Sequence, residues 1–87
     1  MSKVRDLPEA QKKAIYAATV SYRSYRLRGG ATANASHDVQ SKILSGEPLN
    51  AAEIQALETI IEVAYHRTTD INKGALLLNL TKMKFTE

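Results

Sequence analysis

The sequence predicts an all-α fold: a small helical hairpin, two long helices with a short third helix between them, assembling as a homo-oligomeric helical bundle. Three observations carry this. The first is an apolar stripe in one heptad phase, Ile54, Leu57, Ile61, Ala64, Thr68, Ile71, Ala75, Leu78, Lys82 and Phe85, the spacing of a helix packed along another helix. The second is a set of helix stop and start signals that divide the chain in three. The third is size: 87 residues without a cysteine leave helix packing and association as the means of stabilising a thin core.

The first helix is expected over residues 7–28. Asp6 is placed to cap it, Pro8 suits the first turn, and Glu9 favours the positive end of the helix dipole. Gly29-Gly30 ends it, after Arg23, Arg26 and Arg28 at the negative pole. Leu7, Ala14, Ala18, Tyr22 and Tyr25 share one side, flanked by Ala10, Ile15 and Ala17. Residues 31–35, Ala-Thr-Ala-Asn-Ala, read as a small-residue connector. Ser36 then caps a short helix over 36–44, which Ser45-Gly46-Glu47-Pro48 terminates. Asn50-Ala51-Ala52-Glu53 has the form of a capping box and opens the last helix, expected over 51–84.

That last helix is where association is expected. The heptad phase holds through Thr68-Thr69-Asp70 and Gly74, so a single helix is favoured, bent near the glycine. It would be roughly 50 Å long at 1.5 Å per residue, against about 30 Å for a compact globule of this length. Beyond Lys73 its polar face disappears among Leu76, Leu77, Leu78, Leu80 and Met83. A helix apolar all round is buried. A second copy of the chain is therefore expected to cover Ile61, Ile71, Leu76, Leu77, Leu78 and Leu80, in a homodimer or larger assembly. The whole of residues 1–87 is read as one domain.

Charge is unevenly spread. Residues 1–31 carry seven Lys or Arg against two acids, while residues 32–64 carry Lys42 against five acids, within a net charge of +3. No run of about 18 apolar residues exists, so no membrane span is expected. The opening Met1-Ser2-Lys3-Val4-Arg5-Asp6 lacks the apolar segment of a secretory signal, and a cytoplasmic location is the expectation.

Signals for catalysis are nearly absent. Ser36-His37-Asp38 holds the residue types of a triad, but three consecutive residues cannot point at one another as a nucleophile and its base must. His37 and His66 are the only histidines and fall on different helices, short of the three or four ligands zinc requires. Glu62, His66 and Asp70, spaced at four, read as a surface network. Neither an enzyme, nor a metal site, nor a cofactor is expected.

A binding chemistry is better signalled. Tyr16 falls opposite the first helix's apolar side, flanked by Lys12, Thr19, Arg23 and Arg26, with Tyr65, Arg67, Thr68 and Thr69 adding the same chemistry from the last helix. Tyrosine offers a ring for stacking a base, and arginine a fork for phosphate oxygens. The expected site is thus Tyr16, Arg23, Arg26, Arg67, Lys12 and Thr69. The function expected is non-catalytic sequestration of a phosphate-bearing nucleotide, as a sponge or inhibitor of the kind phages carry. The alternative is a protein inhibitor or adaptor docking on a nuclease or nucleic-acid-binding host protein, through the leucine-rich end or the strip Glu53-Glu58-Glu62.

Overall fold

The computed structural model describes residues 2–25 and 31–86, with side-chain surroundings for 3–22 and 37–86. Four helices carry the fold: α1 (Glu9–Tyr25), α2 (Ala31–Ser45), α3 (Ala51–Arg67) and α4 (Ile71–Thr81). A single 3-10 turn, Val4–Asp6, precedes α1. Two dipeptide strands, β1 (Ser2–Lys3) and β2 (Phe85–Thr86), pair in parallel with Ser2 opposite Phe85 and Lys3 opposite Thr86. The all-α expectation holds apart from this short clasp.

α1 starts at Glu9, two residues later than expected. Asp6 belongs to the 3-10 turn, and Leu7 is extended, with its side chain in the core at 7% exposure. The carbonyl of Pro8 accepts the amide protons of Gln11 and Lys12, each at 3.0 Å, so proline serves the helix end where no N–H is missed. The expected stop at 28–30 lies outside the described residues. The core face of α1 is Ile15, Ala18, Thr19 and Tyr22, with Ile15 and Thr19 fully buried. Ala10 and Ala17, expected beside that face, are exposed.

The connector at 31–35 is not a connector: α2 begins at Ala31, five residues before Ser36. Three of these five residues are alanine, the best helix former, which outweighs the weak preference of Thr32 and Asn34. α2 buries Val39 completely and ends at Gly46, whose φ of 75° and N–H to the Lys42 carbonyl, 2.8 Å, form a left-handed stop. The capping box of α3 is present as expected. Asn50 Oδ1 accepts from the Glu53 N–H and Glu53 Oε1 from the Asn50 N–H, both at 2.8 Å.

The expected 51–84 rod is overturned. Helix ends at Arg67, passes through extended backbone at Thr68 and Asp70, and restarts at Ile71. The break has a local cause. Two β-branched threonines disfavour the helix, and Asp70 is a better cap than interior residue, its Oδ1 accepting the Lys73 N–H at 2.9 Å. Within α4 the buried residues are Leu77 and Leu80, whereas Ile71 of the heptad stripe is 88% exposed and Ala75 is also exposed. The stripe is continuous in sequence and not in space. α4 stops at Thr81, and Phe85 enters the core from β2.

Folded back this way, the molecule measures 30 × 29 × 19 Å with a radius of gyration of 11.7 Å, the size expected of one compact chain. No rod overhangs it, so the length argument for a partner subunit falls. The principal core joins Val4, Leu7, Ile15, Val39, Leu49, Leu57, Ile61, Leu77, Leu80 and Phe85, and a smaller cluster joins Ala18 and Tyr22 to Ile60. Gly74 sits inside α4, and a methyl added there would meet Thr68 Cγ2 at 3.6 Å, an ordinary contact. Gly74→Ala is therefore expected to raise stability by about 0.5–1 kcal/mol through helix propensity and a more restricted unfolded chain, measured as a higher midpoint in urea.

Candidate functional site

α1, α3 and α4 meet around an open groove of about 710 Å³, within the roughly 300–1,000 Å³ usual for small-molecule sites. Its walls follow from the small residues of α1. Ala10, Ala14, Ala17 and Ala18 recur at spacings of one, three and four on the side turned to α3 and α4, and alanine leaves open the space a larger side chain would fill. The apolar surface is completed by Val20 and Tyr22 of α1, Ile60, Val63 and Ala64 of α3, and Leu76 and Leu77 of α4. Ile60 is fully buried, and Ala18, Tyr22 and Leu77 nearly so, which fixes the base of the groove, while Val20 at 42% exposure lies on its rim.

Three cations also line it: Lys13, Arg67 and Lys73, one from each helix and all exposed. Among the described residues that line it there is no aspartate or glutamate. The groove thus pairs an apolar surface with three cationic residues drawn from three helices.

The expected binding residues divide sharply. Arg67 lies in the groove and Thr68 beside it lines it too; Thr69 is exposed in the α3–α4 break and does not. Lys12 is tied to Glu9 by an i,i+3 ion pair at 2.8 Å, and this hydrogen bond holds the Glu9 carboxyl below its usual range. Tyr16 is half-buried outside the groove, and its carbonyl accepts the Thr19 hydroxyl proton at 2.6 Å. Thr19 itself is fully buried, so it is a core residue and not part of an outward cluster. The side chain of Arg23 and all of Arg26 lie outside the described residues. Lys13 and Lys73 went unrecognised in the sequence. The signal that finds Lys13 is its place between Ala10 and Ala17, at i+3 and i−4, on one exposed stripe of α1.

Of the residues expected at a subunit interface, Ile61, Leu77 and Leu80 are buried in the chain's own core. Leu76 lines the groove, Leu78 is half-buried, and Ile71 is exposed. The acidic strip is also incomplete. Glu53 is 4% exposed and bound to Lys42 Nζ at 2.7 Å, leaving Glu58 and Glu62 at the surface. Those two line a second depression of about 470 Å³ with Tyr65, His66, Lys82 and Lys84. Its charges are of both signs and offset one another.

Among the described residues no cluster of three or more His, Cys, Asp or Glu is placed to hold a metal ion. Nor, among them, is any helix long and apolar enough to cross a membrane. No protein-family model matches the chain, and neither a curated protein nor a solved structure matches it at a significant level.

Proposed function

We propose that the chain is a non-catalytic binding protein that captures a phosphate-bearing nucleotide in the α1–α3–α4 groove and withholds it from other proteins. The observation that carries this reading is the lining itself: Lys13, Arg67 and Lys73 around an apolar surface, with no carboxylate among the described lining residues. Phosphate oxygens accept charge-assisted hydrogen bonds from lysine and arginine. The base and sugar are apolar enough on their faces to cover Ala14, Ala17 and Val63. Among the described lining residues no nucleophile is paired with a base, and the ligand is expected to leave unchanged.

Calorimetric titration against a panel of mono-, di- and cyclic nucleotides tests the reading. At least one member is expected to bind with a dissociation constant of tens of micromolar or tighter, about −6 kcal/mol or better. Chromatography of the mixture is expected to return the nucleotide intact. Failure of every member to bind removes the proposal.

A further inference from the structure

The clasp of β1 and β2 gathers charge as well as closing the core. The strands pair in parallel with Ser2 opposite Phe85 and Lys3 opposite Thr86. Opposite residues share a face of a sheet, and successive residues alternate between faces. Phe85 is buried, so its neighbours Lys84 and Thr86 turn to the other face, where Lys3 also lies. Lys3 and Lys84 are both exposed, and as diagonal neighbours they stand about 7–8 Å apart. Arg5, in the 3-10 turn after β1, and Lys82, at the C-cap of α4, are exposed too. Segments far apart in sequence therefore set four cations around one small sheet. Within residues 2–6 and 82–86 the only acid is Asp6.

We infer that this face binds single-stranded nucleic acid through its phosphates, with little regard to base sequence. A phosphodiester chain brings one negative charge per nucleotide, and lysines and arginines that neutralise those charges release counterions. Beside the sheet, Lys82 and Lys84 line the depression of about 470 Å³ that also holds Tyr65 and His66. The two rings have centroids 5.3 Å apart; His66 is exposed and Tyr65 half-buried. A base turned out of a flexible strand can stack on a ring there, whereas a base paired inside a duplex cannot. An acidic peptide has the charge but no base to stack. Glu58 and Glu62 line the same depression from α3 and repel phosphate, which holds the strand to the side of the clasp. Lys3, Arg5, Lys82 and Lys84 are not among the residues lining the α1–α3–α4 groove, so this surface stands or falls apart from the nucleotide site.

The test is fluorescence anisotropy on the full chain with an end-labelled oligothymidylate of about twelve nucleotides. At about 50 mM salt the dissociation constant is expected at about 100 μM or tighter. Four phosphate contacts give log affinity a slope near −2.8 on log salt, roughly a fiftyfold loss between about 50 and 200 mM. An oligoadenylate of equal length is expected within about tenfold, and a duplex and an oligoglutamate of equal length at least about fivefold weaker. Lys3→Gln with Lys84→Gln is expected to weaken binding about tenfold or more and to bring the slope to about −1.4. Lys3→Arg with Lys84→Arg keeps both charges and is expected to keep affinity and slope. No binding at about 100 μM, or a salt slope near zero, overturns the inference. So does parent affinity in the glutamine pair, loss of binding in the arginine pair, or a duplex or oligoglutamate that matches the single strand.

Discussion

Reversing the charge of Lys13 and Lys73 together, as Lys13→Glu with Lys73→Glu, is expected to abolish nucleotide binding. Each lysine that reaches a phosphate supplies a charge-assisted hydrogen bond worth about 1.5–3 kcal/mol. Losing both corresponds to roughly a hundredfold to ten-thousandfold in affinity, and the carboxylates put in their place repel the ligand further. A site of micromolar strength would leave the measurable range. The fold is expected to survive. Both side chains are exposed, and glutamate has nearly the helix propensity of lysine. Melting curves of the variant should therefore overlay those of the parent within about 0.5 kcal/mol. Two controls separate the groove from the face that the sequence favoured. Lys13→Arg keeps the charge and should keep binding, and Lys12→Gln, which breaks only the pair with Glu9, should leave affinity unchanged. A double reversal that binds as the parent does would place the ligand elsewhere.

The difference between those two faces shows what the sequence could and could not convey. Signals confined to a few neighbouring residues were legible. The capping box at Asn50 and Glu53 stands as read, α2 ends at Ser45, one residue past its expected end and at the expected Gly46 stop, and the core side of α1 is marked by Ala18 and Tyr22. Signals that depend on where a helix is interrupted were not. The heptad stripe counts residues, and the count survives the break at Thr68–Asp70 although the backbone direction does not. Three apolar residues assigned to a partner, Ile61, Leu77 and Leu80, thereby became the chain's own interior. The cations of the groove are hard to read for a related reason. A projection of α1 alone shows which residues share a side, but which side remains open is decided by α3 and α4. Lys13 and Lys73 line one groove only through that packing. Arg67 and Thr68, expected to add binding chemistry from the last helix, are the lining residues that the sequence signals.

Glu53→Ala is expected to be among the most destabilising single changes outside the hydrophobic core. The carboxylate is 4% exposed, accepts the Asn50 N–H at 2.8 Å and the Lys42 ammonium at 2.7 Å, and so fastens the start of α3 to the end of α2. Truncation removes one half of the capping box together with the acceptor of the Lys42 ammonium, about 2 kcal/mol in all. A loss of about 2 kcal/mol would lower the melting temperature by roughly 8–16 °C in a domain of this size. Glu53→Gln separates the parts, since the amide oxygen can still accept from Asn50 while the charge opposite Lys42 is gone. It should fall between the parent and Glu53→Ala. The dependence on pH follows in sign. Burial pushes the Glu53 carboxyl upward, but the Asn50 N–H and the Lys42 ammonium together outweigh it and hold the group below the usual 4.5. A lowered folded value means that the folded state favours the ionised form. Its contribution is complete above the unfolded value and is lost as pH falls through the folded one. The advantage of the parent over Glu53→Gln should thus be full at pH 7, begin to shrink below about pH 4.5, and vanish in stronger acid. At the alkaline end Lys42, whose ammonium is held above 10.5 chiefly by its hydrogen bond to Glu53, keeps the pair charged until pH rises through that raised value. Denaturant midpoints of parent and Glu53→Gln at pH 7 and pH 3 decide the matter: an equal gap at both would mean that the charge on Glu53 contributes nothing to the joint.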